Sequence, residues 1–353
     1  MDNLKRYLDL VERGMAEELA AMSGVVSPHL YSIVKQYLEA GGKRLRPCLL
    51  LACCEAVGGD VKSALPAAIA VEMYHNWTLI HDDVIDHDDF RRGRATGHRL
   101  GASLGTKDLG LEGDVADDYG KNAAILAGDV LQARATEKLF ELQGFSDAVV
   151  LSVVREMTGR LTVDLLNGEQ LDVEMSHLPF EKVDESMISK MMLGKTSALL
   201  RYCSSAGAAL GCGEPLESCS TARELGEFAA LCGLAFQLKD DLLGIFGDER
   251  RFGKPIGSDI REGKRTLLAC KALVKCDAKE RERFLQIYGS SDISEAELEL
   301  ARKFLSRGVE ATQETMESCV SQALEILEKL EFPSDSARGK LVAFAESMVA
   351  RDL

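Results

Sequence analysis

Apolar residues recur at three- and four-residue spacings along most of this chain, the period of a helix with a buried face. The spacing predicts a helix over residues 2–22, a break at Pro28, and a helix through HLYSIVKQYLEA that stops at Gly41-Gly42. KRLRPCLLLACCEAVGG leads from a basic cluster into an apolar helix ending at Gly58-Gly59, and Pro66 is placed to open the next, AAIAVEMYHNWTLIHDD. Residues 93 to 119 break the pattern. Rich in glycine and aspartate, they predict a long inserted loop at about 97–119, with room for one short helix. Helical spacing resumes at KNAAILAGDVLQARATEKLF and fits residues 145–175, 184–210, 220–246, 264–276, 280–289, 294–305, 307–330 and 335–351. No alternating strand segment and no linker stands out, so the expectation is a single all-α domain over residues 1–353, a helical bundle.

Composition agrees with helices. Aromatic residues are 6% of the 353, and prolines number seven. The formal net charge of −15 argues against a nucleic-acid partner, which selects a basic surface. No run of about eighteen apolar residues is present, so no membrane span is expected, and the N-terminal segment lacks the apolar stretch of a secretory signal. Ten cysteines scattered among apolar neighbours read as reduced core residues of a cytoplasmic protein, with no C-x-x-C pairs spaced for zinc.

The charge is not spread evenly. LIHDDVIDHDDFRRG carries Asp82, Asp83, Asp86, Asp88 and Asp89, followed by Arg91 and Arg92, at the end of an apolar helix. On a helix Asp82 and Asp86 share a face, where like charges cost about 0.2–0.5 kcal/mol, and the C-terminal end of a helix disfavours anions. Three explanations are open: a solvated acidic turn, a divalent-metal site, and a local Asp–Arg ion-pair network. Carboxylate oxygens suit Mg²⁺, and arginine forks match phosphate oxygens, so the set has the parts of a diphosphate site.

The arrangement returns at LAFQLKDDLLGIFGDERRFGKPIGSDIREGKRT. An apolar helix again delivers paired aspartates, Asp240 and Asp241, with Lys254, Asp259 and Lys264 following. Two such clusters weaken the solvated-turn explanation, since facing helices of a bundle can aim both at one cavity. GGKRLRP adds Lys43, Arg44 and Arg46 beside glycines, and KTSALL adds Lys195 and Thr196. Each alone reads equally as a surface turn or an ordinary helix start.

Taken together, GGKRLRP, HDDVID with its downstream RRG, ILAGD, GKTSAL, and FQLKDD followed by GKPIGSD and GK resemble the trans-type isoprenyl diphosphate synthases, in that family's order and over about residues 25–350. The resemblance implies an all-α barrel-like bundle around a deep central cavity, a homodimer, and an Mg²⁺-dependent prenyltransferase. It implies head-to-tail condensation of isopentenyl diphosphate with an allylic diphosphate held through three Mg²⁺. It places Asp82, Asp86 and Asp240 as direct metal ligands, supported by Asp83, Asp241 and Asp259. Arg91, Lys195 and Lys254 would hold the allylic diphosphate. Lys43, Arg46, His75 and Arg92 would hold isopentenyl diphosphate, and Lys264 is a further diphosphate-binding candidate. Thr196 and Gln237 would line the place where the allylic cation forms.

Some positions keep a plainer explanation or depart from the pattern. His75 reads as a satisfied core histidine or as a substrate contact. His81 and His87 flank aspartates, yet paired acids suit an oxygen-only Mg²⁺ site better than a His/Asp transition-metal site. The second motif is DDLLG, so Gly244 stands where many relatives have a third aspartate, and GEQLD carries Glu169 where many have glutamine, leaving Asp172 as the supporting acid.

Chain length follows from what blocks the cavity floor. Trp77, five residues before Asp82, and Thr78 occupy the positions that face the growing tail in the family, although Trp77 also reads as core filler. With no two-residue insertion in the first motif, the pattern resembles geranylgeranyl (C20) synthases more than farnesyl (C15) ones. Two other classes fit the residues less well: a non-catalytic regulatory subunit would have damaged metal or phosphate residues, and a terpene cyclase would not need GGKRLRP and RRG.

Overall fold

The computed structural model describes residues 2–247, 257–290 and 292–349. It is all-α, apart from one two-residue ribbon, among the described residues. By contacts the chain divides into two compact units, Met1–Thr158 with Cys203–Ala222, and Gly159–Tyr202 with Arg223–Leu353.

The first unit holds α1 (Asp2–Met22), α2 (Pro28–Glu39), α3 (Leu45–Ala56), α4 (Val61–Ile85), α5 (Gly97–Leu109), α6 (Gly113–Leu139) and α7 (Asp147–Glu156). Helix α3 is apolar around nearly its whole circumference and is buried from Pro47 to Cys54. A helix of that composition belongs inside a bundle. Cys48, Cys53 and Cys54 are free and buried, and burial pushes each thiol up to about 12. They behave as small apolar residues, as the sequence suggests.

Two expectations need correction here. Pro66 does not open α4. The helix begins at Val61, where the Asp60 side chain accepts from the backbone N–H groups of Lys62 and Ser63, and Pro66 lies inside it. The cap satisfies two of the orphan donors at the helix start. Buried Val61 and Ala64 anchor that first turn despite the proline.

Residues 97–119 are not a long loop either. They form α5 and the start of α6, joined by a short turn in which Gly110 has φ 69°. The glycines that suggested a loop form a contact stripe. A Cβ on Gly101 would lie 3.0 Å from the Gly120 backbone, and one on Gly120 would lie 2.1 Å from the His98 carbonyl. The two helices cross backbone to backbone, a packing that only glycine allows. Glycine recurring every fourth residue at 97, 101 and 105 marks a helix face.

The second unit holds α8 (Thr162–His177), α9 (Glu185–Met192), the first part of α10 (Ala198–Cys212) and α11 (Ser220–Phe246) from Arg223 on. Between α9 and α10 the backbone makes a π turn, Leu193–Ser197. Further helices follow: Ser258–Glu262, Leu267–Val274, Ala278–Ile287, Glu295–Leu305, Val309–Lys329 and Asp335–Val349. Their core centres on Phe284, stacked on Tyr288 at 4.7 Å and met edge-on by Phe180 and Phe304.

Candidate functional site

In the first unit the acidic motif sits on the last turn of α4. Past Ile85 the chain reverses through His87, at φ 56°, into the ribbon Phe90–Arg91/Arg94–Ala95. Arg92 and Gly93, at φ 52° and 73°, form its two-residue turn, and positive φ at both centres is the hairpin geometry that matches strand twist. The ribbon folds Arg91 back onto the helix. Its Nε donates to Asp83 Oδ1 at 2.6 Å and its Nη2 to Asp82 Oδ2 at 3.0 Å.

The adjacent aspartates therefore have different surroundings. Asp83 is fully buried and also accepts from the Tyr37 hydroxyl. That hydroxyl oxygen in turn accepts from the Gly97 backbone N–H at 2.9 Å. Burial raises the Asp83 pKa, and Arg91 and Tyr37 pull it only part of the way back. Asp82 is about one-fifth exposed and Asp86 is exposed, one turn apart on the same face. The ion-pair explanation thus accounts for Asp83. Asp86 turns its carboxylate to solvent and Asp82 is partly exposed beside it, an oxygen-only pair of a kind that fits a hard divalent cation. His81 instead engages the Ile125 carbonyl at 3.0 Å and His87 is exposed, so neither changes the oxygen character of that set.

A cationic pocket adjoins this motif. Gly41 and Gly42, at φ 69° and 140°, let the chain turn tightly beneath Arg92, whose Nη1 donates to the Gly41 carbonyl. A Cβ on Gly42 would lie 2.9 Å from that nitrogen. Arg46 Nη1 lies 3.3 Å from His75 Nε2. Burial, then Arg46, Arg91, Arg92 and Arg44, hold the His75 pKa well below its usual value. The ring is neutral, and Nε2 accepts from the guanidinium. Lys43 is exposed. Arg44 plays another part: buried, it binds Glu12 at 2.8 Å, Glu72 at 2.6 Å and the Leu38 carbonyl at 2.6 Å. It ties the motif to the core.

Trp77 and Thr78 lie on α4 above the motif. Trp77 is buried, edge-on to Tyr74 at 4.8 Å and to His81 at 5.7 Å. Gly128 of α6 gives room first to the His81 ring, 2.3 Å from where a Cβ would stand, and then to the indole, at 3.1 Å. Thr78 Oγ1 bonds back to the His75 carbonyl at 2.8 Å.

In the second unit the π turn presents Lys195 and Thr196. Lys195 Nζ lies 2.7 Å from Asp172 Oδ2 and 3.0 Å from Glu169 Oε1, both on α8. Thr196 Oγ1 donates to Gln237 Oε1 at 2.7 Å, and Gln237 Nε2 donates to Asp241 Oδ1 at 2.9 Å. Asp241 is buried, and burial, Asp259 and Asp240 push it up to about 8 against the pull of Gln237 and Lys264. Lys264 Nζ lies 3.8 Å from Asp259 and 3.2 Å from Glu262. Gly244, where a third acid was absent, accepts the Gly257 N–H at its carbonyl, 3.0 Å away. Lys254 lies outside the described residues. Tyr37, Gly97 and Glu72 had no signature of their own in the sequence, because only the fold brings them to these contacts.

Helices that deliver paired carboxylates, with arginines and lysines beside them, define a metal- and diphosphate-handling helical enzyme. Comparison with known proteins gives the particular family. Residues 27–305 match the polyprenyl synthetase family model. The chain is 34% identical to a short chain isoprenyl diphosphate synthase of Methanothermobacter thermautotrophicus, covering 100% of this chain and 98% of that one. It is 36% identical to a geranylgeranyl pyrophosphate synthase of Geoglobus acetivorans, over 92% and 91%. Its fold superposes with a TM-score of 0.85 on geranylgeranyl pyrophosphate synthase from Corynebacterium glutamicum, solved with isoprenyl diphosphate and magnesium, at 27% identity and 99% coverage of both. The chain belongs to the polyprenyl synthetase family and is a short-chain trans-isoprenyl diphosphate synthase, a metal-dependent prenyltransferase. No helix among the described residues is long and apolar enough to cross a membrane.

Proposed function

We propose that this enzyme condenses isopentenyl diphosphate with allylic diphosphates as far as geranylgeranyl diphosphate, C20. The observation that carries the length is Trp77, a buried indole met edge-on by Tyr74 and His81, more than one turn before Asp82. In this reading it limits the growing tail. The C20 names of several relatives support the same length.

In this reading Asp82, Asp86 and Asp240 ligate Mg²⁺, three ions when diphosphate is bound, with Asp83, Asp241 and Asp259 in support. Mg²⁺ supplies the charge that stabilises the departing diphosphate. Arg91, Lys195 and Lys254 hold the allylic diphosphate, with Lys264 close to the second acidic cluster. Lys43, Arg46, His75 and Arg92 hold isopentenyl diphosphate. His75, being neutral, aims Arg46 and adds no charge of its own. Thr196 and Gln237 place hydroxyl and amide oxygens beside the forming allylic cation. The double bond of isopentenyl diphosphate attacks that cation, and a diphosphate oxygen takes the released proton. No side-chain nucleophile is required, and water must be excluded because it would capture the cation.

We also take the chain to be one functional domain and a cytoplasmic homodimer.

The test is product length. Purified protein with Mg²⁺ and isopentenyl diphosphate receives C5, C10 or C15 starter, and the dephosphorylated products are separated. C20 product with the C15 starter consumed supports the reading. A stop at C15 with that starter ignored assigns a farnesyl synthase. No condensation by folded protein overturns it.

A further inference from the structure

Lys195 is gripped in an unusually constrained way. Its π turn meets α8 backbone to backbone: a Cβ on Gly168 would lie 2.2 Å from the Lys195 nitrogen, and one on Gly194 would lie 2.6 Å from the Asp164 carbonyl. The separation of the two elements is thereby fixed at its minimum. From that base the lysine side chain extends over the face of α8 that carries positions 169 and 172, three residues apart and hence on one side of the helix. Both positions are carboxylates, and Nζ contacts both, at 3.0 Å and 2.7 Å. Lys195 is about one-quarter exposed and Glu169 about one-seventh, so these ionic hydrogen bonds are only partly screened.

A single carboxylate would be enough to neutralise the ammonium. A second ties the ammonium down from two directions. We propose that Glu169 is a positioning residue for Lys195, setting where its ammonium rests and weakening its hold on the allylic diphosphate. This rests on the proposed role of Lys195 in binding that substrate. Glu169 acts on only one of the two substrates, because its contact is with the lysine assigned to the allylic one. Without that charge, the ammonium is held less tightly against α8 and more of its field is offered to an incoming diphosphate.

The test is Glu169→Gln, which keeps shape and hydrogen bonding and removes the charge, alongside Glu169→Ala. Steady-state KM is measured for both substrates, with calorimetric binding of an unreactive allylic thiodiphosphate in the presence of Mg²⁺. Glu169→Gln is expected to lower KM for the allylic substrate by about threefold or more, and to tighten analogue binding to match, with KM for isopentenyl diphosphate unchanged. A Lys195→Gln background should abolish the effect of Glu169→Gln, which a merely structural residue would not show. Unchanged constants, equal shifts in both KM values, or an effect that survives in the Lys195→Gln background would overturn the proposal. Failure of the parent enzyme to condense the substrates would instead count against the functional reading.

Discussion

Arg91 and Asp83 form the innermost contact of the first acidic motif, Nε to Oδ1 at 2.6 Å, with the carboxylate fully buried. The pair links the ribbon to α4, and so sets where Arg91 and the exposed carboxylates stand. Removing one partner of a buried pair leaves the other without its compensation. Asp83→Asn should therefore destabilise the protein by about 3 kcal/mol, read from urea unfolding. Tyr37→Phe removes one hydrogen bond and should cost less, about 1 kcal/mol. Equal losses would mean that Asp83 contributes no more than a neutral partner.

A separate ion pair gives a pH signature of stability. Arg307 binds Glu280 through both guanidinium nitrogens, at 2.5 and 2.6 Å, and the Arg307 hydrogen bond, with the Asp277 backbone bond, lowers the Glu280 pKa to about 2. A carboxyl depressed by folding stabilises the protein above its unfolded pKa, and that contribution disappears as pH falls through the folded value. Wild type should exceed Glu280→Gln in urea midpoint at neutral pH. The gap should close between the ordinary carboxyl pKa of 4.5 and about 2. A gap constant through that range would assign the effect to helix capping alone.

The hydrogen-bond chain Thr196–Gln237–Asp241 makes a third prediction. Gln237 is the only residue in it that touches both others. Gln237→Leu should strip Asp241 of a stabilising donor and Thr196 of its acceptor. Groups that orient metal-binding carboxylates typically matter by about 10- to 100-fold, so activity should fall by that order, with a raised Mg²⁺ requirement. Lost activity with an unchanged Mg²⁺ requirement would place the role of Gln237 at the allylic cation alone.

The sequence made the helices and their motifs legible because both are local. A 3.6-residue apolar period and short charged strings survive without tertiary information. What it hid depends on contacts between distant segments. The glycine stripe at 97, 101 and 105 looked like loop chemistry, yet it is a packing face whose partner, Gly120, lies on another helix. Similarly, nothing in GGKRLRP separates Arg44 from Arg46. The fold turns Arg44, at φ 44°, onto Glu12 and Glu72, and leaves Arg46 beside His75. The unequal surroundings of Asp82 and Asp83 were invisible for the same reason, since Tyr37 and Gly97 reach Asp83 only in the folded chain.

Trp77 offers the sharpest link between packing and product. Its indole is buried and met edge-on by Tyr74 and His81, so it does not yield readily to a lengthening tail. Under the proposed C20 limit, Trp77→Ala should shift the product to greater length, while the emptied site costs about 3–5 kcal/mol of stability. Trp77→Phe keeps an aromatic ring at the position and should retain the parent length at a smaller cost. Its buried Nε1 has no hydrogen-bond partner among the described residues, so losing the indole nitrogen carries no polar penalty. Product chromatography of the two variants, run beside thermal unfolding, separates the two roles of this side chain. A destabilised Trp77→Ala enzyme that still stops at the parent length would make Trp77 core filler and move the floor of the cavity to other residues.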